Sequence, residues 1–240
     1  GRTALVTGAS RSIGRAIAER LARDGARVAI HYGRNEAAAA ETVGAIRAAG
    51  GEAFAIQAEL ADPAQIAAAF ADFDRQAEGL DILVNNAGIA PVAPTAELPD
   101  AAFDEVFAVN VKAVWLVTRH ALARLRDGGR IVNIGTGLTR ATMPNLAAYS
   151  ASKGAVETLT LHWAAEFGPR GITVNTVSPG VIDTDINAGW LRNDQARAFV
   201  AGQQALARVG ESADVADVVA FLAGPDGRWL TGQRLEASGG

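Results

Sequence analysis

The sequence predicts an α/β fold, a single doubly wound parallel sheet of seven strands with helices on both faces. Three observations predict it. Short apolar runs alternate with longer stretches of helical periodicity along the whole chain. The short runs are apolar at consecutive positions, as in strands covered on both sides. The first of them ends in a turn of small residues, from Gly8 to Gly14, that opens a helix.

Each element follows from its local pattern. Residues 3–7 (TALVT) form a strand, and 12–24 a helix with Ile13, Ile17 and Leu21 four apart on one face. Asp24-Gly25 closes that helix. Residues 27–32 form the second strand, and 36–49 a helix closed by Gly50-Gly51. Residues 52–57 are the third strand, and 63–77 the third helix, with Asp62 as N-cap and Pro63 at its first position. Strand 82–85 leads through a Pro-containing loop to helix 100–125. Strand 129–135 leads to helix 147–167, and strand 173–178 to an irregular stretch, 183–208. Helix 213–223 precedes a last strand at 234–237. No linker or repeat interrupts the series, so residues 1–240 read as one domain, with 183–208 the segment expected to close over a substrate. Right-handed crossovers place the ends of all strands on one edge, where such sheets bind ligands.

Composition narrows the chemistry. Lys and Arg number 22 against 26 Asp and Glu, with no basic block, which argues against nucleic acid as partner. No apolar run reaches 18 residues and no signal-peptide pattern is visible, so a cytoplasmic protein without a membrane span is expected. Zero cysteines exclude thiol chemistry and disulfides. The three histidines, His31, His120 and His162, are scattered, so no metal site is expected. The chain uses only two lysines, Lys112 and Lys153, and two tyrosines, Tyr32 and Tyr149.

One of each falls in Tyr149-Ser150-Ala151-Ser152-Lys153. On a helix, positions i and i+4 share a face, so the phenol and the ammonium lie close together. A free tyrosine, with a pKa of ~10, is a poor base at neutral pH, and a neighbouring cation favours its phenolate. Lowering that pKa by about 3 units takes ~4 kcal/mol of differential stabilisation. Such a phenol can exchange a proton with a substrate oxygen.

After the first strand, Thr7-Gly8-Ala9-Ser10-Arg11-Ser12-Ile13-Gly14 brings small residues and a helix N-terminus together, a cradle for a pyrophosphate. It resembles the TGxxxGxG turn of the short-chain dehydrogenase/reductase family, with Ser12 at that family's middle glycine and free to cap the helix. The resemblance spans nearly the whole chain, six motifs in order, and fits the compact branch of the family, a Rossmann-type fold. It implies an NAD(P)-dependent oxidoreductase in which Tyr149 and Lys153 are catalytic and also contact the cofactor, Lys153 at the nicotinamide ribose. Thr136, thirteen residues before the tyrosine, stands where the family places a serine that holds the substrate oxygen. Asn110 matches the asparagine of the family's proton relay through a water. Glu59-Leu60 stands at the family's Asp-Val against the adenine. Asn85-Asn86-Ala87-Gly88 resembles the NNAG motif lining the ribose side, and Pro179, Gly180, Ile182 and Thr184 the PGxxxT segment around the nicotinamide.

The second strand selects the cofactor. NAD-binding sheets usually carry an acid at its end. Here Tyr32 takes that position, with Arg34 and Arg11 nearby to pair with a 2′-phosphate, which favours NADP(H) over NAD-dependent oxidation of an alcohol or sugar. Retention of both Tyr149 and Lys153 argues against a non-catalytic sensor. Trp190, Leu191, Phe199 and Val200, with Met143 and Leu146 and with Trp229 from the C-terminal side, suggest an apolar or flat substrate. The two tryptophans fit helix packing or a subunit interface equally well. The overall pattern is similar to 3-oxoacyl-thioester reductases and to reductases of bulky or aromatic ketones, and the sequence leaves both open. Family resemblance implies a homotetramer built through helices 100–125 and 147–167.

Overall fold

The computed structural model describes all 240 residues, Gly1–Gly240. Seven strands form one parallel sheet in the order β3-β2-β1-β4-β5-β6-β7. They are β1 (Thr3–Val6), β2 (Arg27–Tyr32), β3 (Glu52–Gln57), β4 (Leu80–Asn85), β5 (Leu125–Ile134), β6 (Thr173–Pro179) and β7 (Arg234–Ala237). Strand alternation divides the core. Ala4, Val6, Val28, Ile30 and Tyr32 face one helical layer, α1 (Ser12–Arg23), α2 (Glu36–Ala48) and α9 (Ser212–Ala223). Leu5, Ala29, Leu83 and Ile131 face the other, α3 (Pro63–Gln76), α5 (Ala113–Leu122) and α6 (Ala147–Phe167). The chain reverses its direction of winding between β1 and β4, and the ligand crevice of such a sheet opens at that point.

Asp62 caps α3 as its position predicts, accepting from the Ala64 N–H at 2.8 Å. Four expectations need correction. The helix at 100–125 is broken into α4 (Asp100–Phe107), a π turn at Ala108–Lys112 and α5. β4 and β5 begin earlier than expected, because Leu80 pairs with Leu125 before the register shifts ahead of Ile82. Gly128, with φ +76°, makes the kink that the shift requires. The stretch 183–208 is not irregular but holds α7 (Ala188–Leu191) and α8 (Asp194–Gln203). Asn193 caps α8, accepting from the N–H groups of Gln195 and Ala196, and Leu191, Val200 and Val209 form a small core of their own. Trp190 packs against that core. Trp229 does not approach the strand ends. It is 94% exposed, in a loop whose Leu230, Thr231 and Gly232 bond the start of β6, at the opposite edge of the sheet.

Candidate active site

The ends of β1 to β6 and the N-termini of α1 and α6 bring most of the predicted residues to one edge. α1 begins without a side-chain cap, since its N-cap is Arg11 and no side chain bonds the first turn. Its free N–H groups leave an anion site. Ser12 does not cap it. Its hydroxyl lies 3.2 Å from Asp185 Oδ2 instead, and its backbone is left-handed at φ +50°, which costs an L-residue roughly 1–2 kcal/mol. Arg11 also reaches Asp185, at 3.8 Å. At Gly14 a Cβ would stand 2.2 Å from the Gly8 carbonyl oxygen, so only glycine lets the turn close against the helix. Ser10 is held by Thr42, whose hydroxyl donates to its carbonyl oxygen at 3.2 Å, and Ile13 packs on the core. Asn86 reaches under the turn and donates to the carbonyl oxygens of Thr7 (2.9 Å) and Gly8 (3.1 Å). Ala87 donates its N–H to the Thr7 hydroxyl.

His31 carries no motif, yet it braces this turn. Its Nδ1 accepts from the Gly8 N–H at 3.1 Å, so Nε2 bears the proton and donates to the Ala58 carbonyl at 3.1 Å. The only signal in the sequence is an imidazole inside an apolar strand. Burial pushes its pKa down to about 4. Above pH 6.5 the ring is neutral in both folded and unfolded chains. As pH falls from 6.5 towards 4, the unfolded chain takes up a proton that the folded one refuses. Stability should therefore drop by roughly 3 kcal/mol across that window. Urea midpoints measured from pH 7 to pH 4.5 check this. An equally steep decline in His31→Asn would count against it.

At the end of β2, Tyr32 is largely buried in the core, so its ring forms a wall and offers no carboxylate. Arg34 is exposed and donates Nε to Glu59 Oε1 at 3.0 Å. Glu59 is thereby engaged with Arg34, and Leu60 packs against the core beside it.

The catalytic candidates converge at α6. Tyr149 is half-buried, with its phenol close to the Thr136 side chain. Burial raises the phenol's pKa and the nearby Thr136 side chain lowers it, with a net rise. The expected lowering by Lys153 is not what the geometry gives. Lys153 Nζ lies 6.0 Å from the centre of the tyrosine ring and donates to the Ile134 carbonyl at 2.8 Å. Burial brings the lysine itself down to about 8. Asn110 sits in the π turn, fully buried. Its Oδ1 accepts from the Ile89 N–H, and Nδ2 donates to the Ile89 carbonyl and to Ser152 Oγ. Both ends of its side-chain amide thus have protein partners. Ser152, three residues after the tyrosine, passes the contact on to the Tyr149 carbonyl at 2.6 Å. Gly88 lies beneath, where a Cβ would come within 3.2 Å of Asn110 Oδ1 and 3.4 Å of Lys153 Nζ. Pro179 ends β6, and the Gly180 N–H bonds the Ala237 carbonyl. Ile182 is buried, while the half-buried Thr184 donates weakly to the Ile182 carbonyl at 3.4 Å.

A family model described as Enoyl-(Acyl carrier protein) reductase matches residues 8–240. The chain belongs to the short-chain dehydrogenase/reductase family. Among its relatives, trihydroxynaphthalene reductase of Colletotrichum orbiculare is 38% identical, over 100% of this chain and 89% of that one. An uncharacterised oxidoreductase of Methylorubrum extorquens is 42% identical, over 100% and 97%. Among solved structures, the angucycline C-6 ketoreductase LanV with bound NADP superimposes with a TM-score of 0.95 at 44% identity. The match covers 100% of this chain and 95% of LanV. No helix in the chain is long and apolar enough to cross a membrane.

Proposed function

We propose that this short-chain dehydrogenase/reductase is an NADPH-dependent ketoreductase whose substrate is a bulky aromatic ketone. The observation that carries the reading is the gathering of Tyr149, Thr136 and buried Lys153 at the strand ends, next to an uncapped helix N-terminus. The aromatic substrate follows the relatives, which act on hydroxynaphthalenes and angucyclines by their names. It also fits the apolar side chains on the segments that follow the strands. Val92, Met143, Ile186, Phe199 and Leu206 are all large and exposed, and they come from the loops after β4 and β5 and from the segment after β6.

The glycine turn fits a dinucleotide, with free N–H groups at α1, no side chain in the way at Gly14, and Arg11 and Arg34 flanking it. Gly8, Ser10, Arg11, Ser12, Ile13 and Gly14 would hold its pyrophosphate. Tyr32, Arg34, Glu59 and Leu60 would hold the adenosine side, Asn86, Ala87 and Gly88 the ribose side, and Pro179, Gly180, Ile182 and Thr184 the nicotinamide. When bound, the cofactor supplies the hydride. Thr136 holds the substrate oxygen. Tyr149 donates its phenolic proton to that oxygen, which a raised pKa suits, because the phenol stays protonated through neutral pH. Lys153 adds positive charge as negative charge develops on that oxygen. Asn110 fixes the Ile89 backbone and, through Ser152, the helix turn that carries the tyrosine. Segment 183–208 covers the substrate. A homotetramer and a cytoplasmic location complete the proposal, both taken from family resemblance.

The test is oxidation of NADPH and NADH against 2-tetralone, an acetoacetyl thioester and a sugar lactone. Turnover with NADPH and the bicyclic ketone is expected. Turnover with the thioester alone would move the substrate to 3-oxoacyl groups, and preference for NADH would remove the role given to Arg34. Arg34→Gln should raise the KM for NADPH about tenfold, the equivalent of ~1.4 kcal/mol, and leave NADH unchanged. The effect should shrink in high salt, because the side chain is exposed. Equal losses with both cofactors would overturn the assignment.

A further inference from the structure

Behind Thr136 lies a charged cluster that the chemistry above does not use. Arg234, on β7, falls outside the motifs of the sequence, and its side chain is only 9% exposed. Its Nε donates to Glu157 Oε1 at 2.7 Å, Nη1 to Glu236 Oε1 at 2.5 Å, and Nη2 to the Thr136 carbonyl oxygen at 3.2 Å. The Thr139 hydroxyl donates its one proton to Glu157 Oε1 at 2.7 Å and lies 3.2 Å from the same carbonyl oxygen. Glu157 stands one helical turn beyond Lys153 and two beyond Tyr149, so all three share a face of α6. The cluster ties together the catalytic helix, the loop after β5 and the last strand.

Stability alone does not call for this arrangement. A largely buried ion pair is often no better than apolar packing of the same volume. A rigid guanidinium fork can do what apolar packing cannot, which is to fix the direction of a carbonyl. That direction matters at Thr136. Its backbone is extended, at φ −158° and ψ 150°. Its β-branched side chain has few χ1 choices, so the aim of the hydroxyl follows the orientation of the backbone. The Leu138 N–H donates to the hydroxyl oxygen at 3.3 Å and leaves the hydroxyl proton free to be aimed.

We infer that Arg234 is a positioning residue, which clamps the Thr136 carbonyl between β7 and α6 and thereby aims the Thr136 hydroxyl at the substrate oxygen. The inference rests on the reading of Thr136 as the group that holds that oxygen. Glu157 sets the clamp's position along α6, and Glu236 holds the other edge of the fork.

The test is a double-mutant cycle with NADPH and 2-tetralone, using Arg234→Gln, Thr136→Ala and the two combined. NADPH affinity is read separately from the fluorescence of the bound cofactor. Arg234→Gln should lower kcat by about ten- to a hundredfold, the scale of a small misplacement in an active site, with NADPH affinity within about twofold. Arg234→Lys, which keeps the charge but not the fork, should recover only part of the rate. Because the arginine acts through Thr136, the double variant should be no slower than Thr136→Ala. Multiplying losses, or a loss of NADPH affinity that parallels kcat, would overturn the inference. Full activity in Thr136→Ala would instead remove the role of Thr136 itself. Should Arg234→Gln not fold, the same cycle run with Glu157→Gln, which keeps the side-chain shape, decides between these outcomes.

Discussion

Tyr149→Phe should stop ketone reduction while NADPH binds as before. The loss in kcat should be about a thousandfold or more, since a positioned proton donor contributes about 10²–10⁴. The substitution removes one oxygen from a half-buried ring and leaves the helix turn intact, because Ser152 bonds the Tyr149 backbone and not its side chain. Thr136 keeps the bond it accepts from the Leu138 N–H. Nothing in the glycine turn contacts the phenol, so cofactor affinity has no reason to change. Steady-state rates together with a fluorescence titration of NADPH separate the two quantities. A residual rate within tenfold of the parent would show that another group, or water, delivers the proton.

Lys153→Met should have the next largest effect. Kcat should drop by about a hundredfold or more, with the pH profile flattened as well. The ammonium is fully buried with one carbonyl partner, and burial brings its pKa down to about 8. For the parent protein, reduction should be fastest below that value, where the lysine is charged, and should decline as pH rises through about 8. Phenol ionisation lies higher, because burial raises it, so it does not account for that limb. With methionine in place, no group near the oxygen titrates in this range, and the rate should be low and level from pH 6 to 9. A variant that keeps the parent's limb at about 8 would assign that limb elsewhere. Folding should survive, because a buried ammonium costs desolvation that a thioether does not.

The sheet was legible because its signal is dense. Apolar strands such as Leu80–Asn85 and amphipathic helices such as Pro63–Gln76 repeat with little interruption, and Asp62-Pro63 marks a helix start plainly. The π turn was not legible, because residues 100–125 have helical periodicity throughout and the extra backbone residue changes no side-chain pattern. Helix α8 was missed because its apolar content is low, although Asn193-Asp194 is a proper start signal. Among the site residues, the glycine turn, Asn86 and Pro179 lie at strand ends, where their order suggests. The side chains that brace them are another matter. His31, Ser152 and Arg234 act by meeting groups remote in sequence, on Gly8, Asn110 and Thr136, and no local spacing encodes such a meeting. The rise in the tyrosine's pKa was hidden for the same reason, since burial is a property of the folded whole.

The π turn at Ala108–Lys112 also bears on how this chain is aligned with its relatives. A π turn accommodates one residue more than the regular spiral over the same length. Each residue advances an α-helix by about 100°. A relative lacking that residue would keep the apolar stripe of α5 and rotate the face of α4 by the same angle. Asn110, inside the turn, would then swing away from Ile89 and Ser152. A single-residue gap between Asp100 and Ala113 is therefore a functional landmark. Relatives that carry it should be sorted from those that do not before any residue of the relay is compared across them.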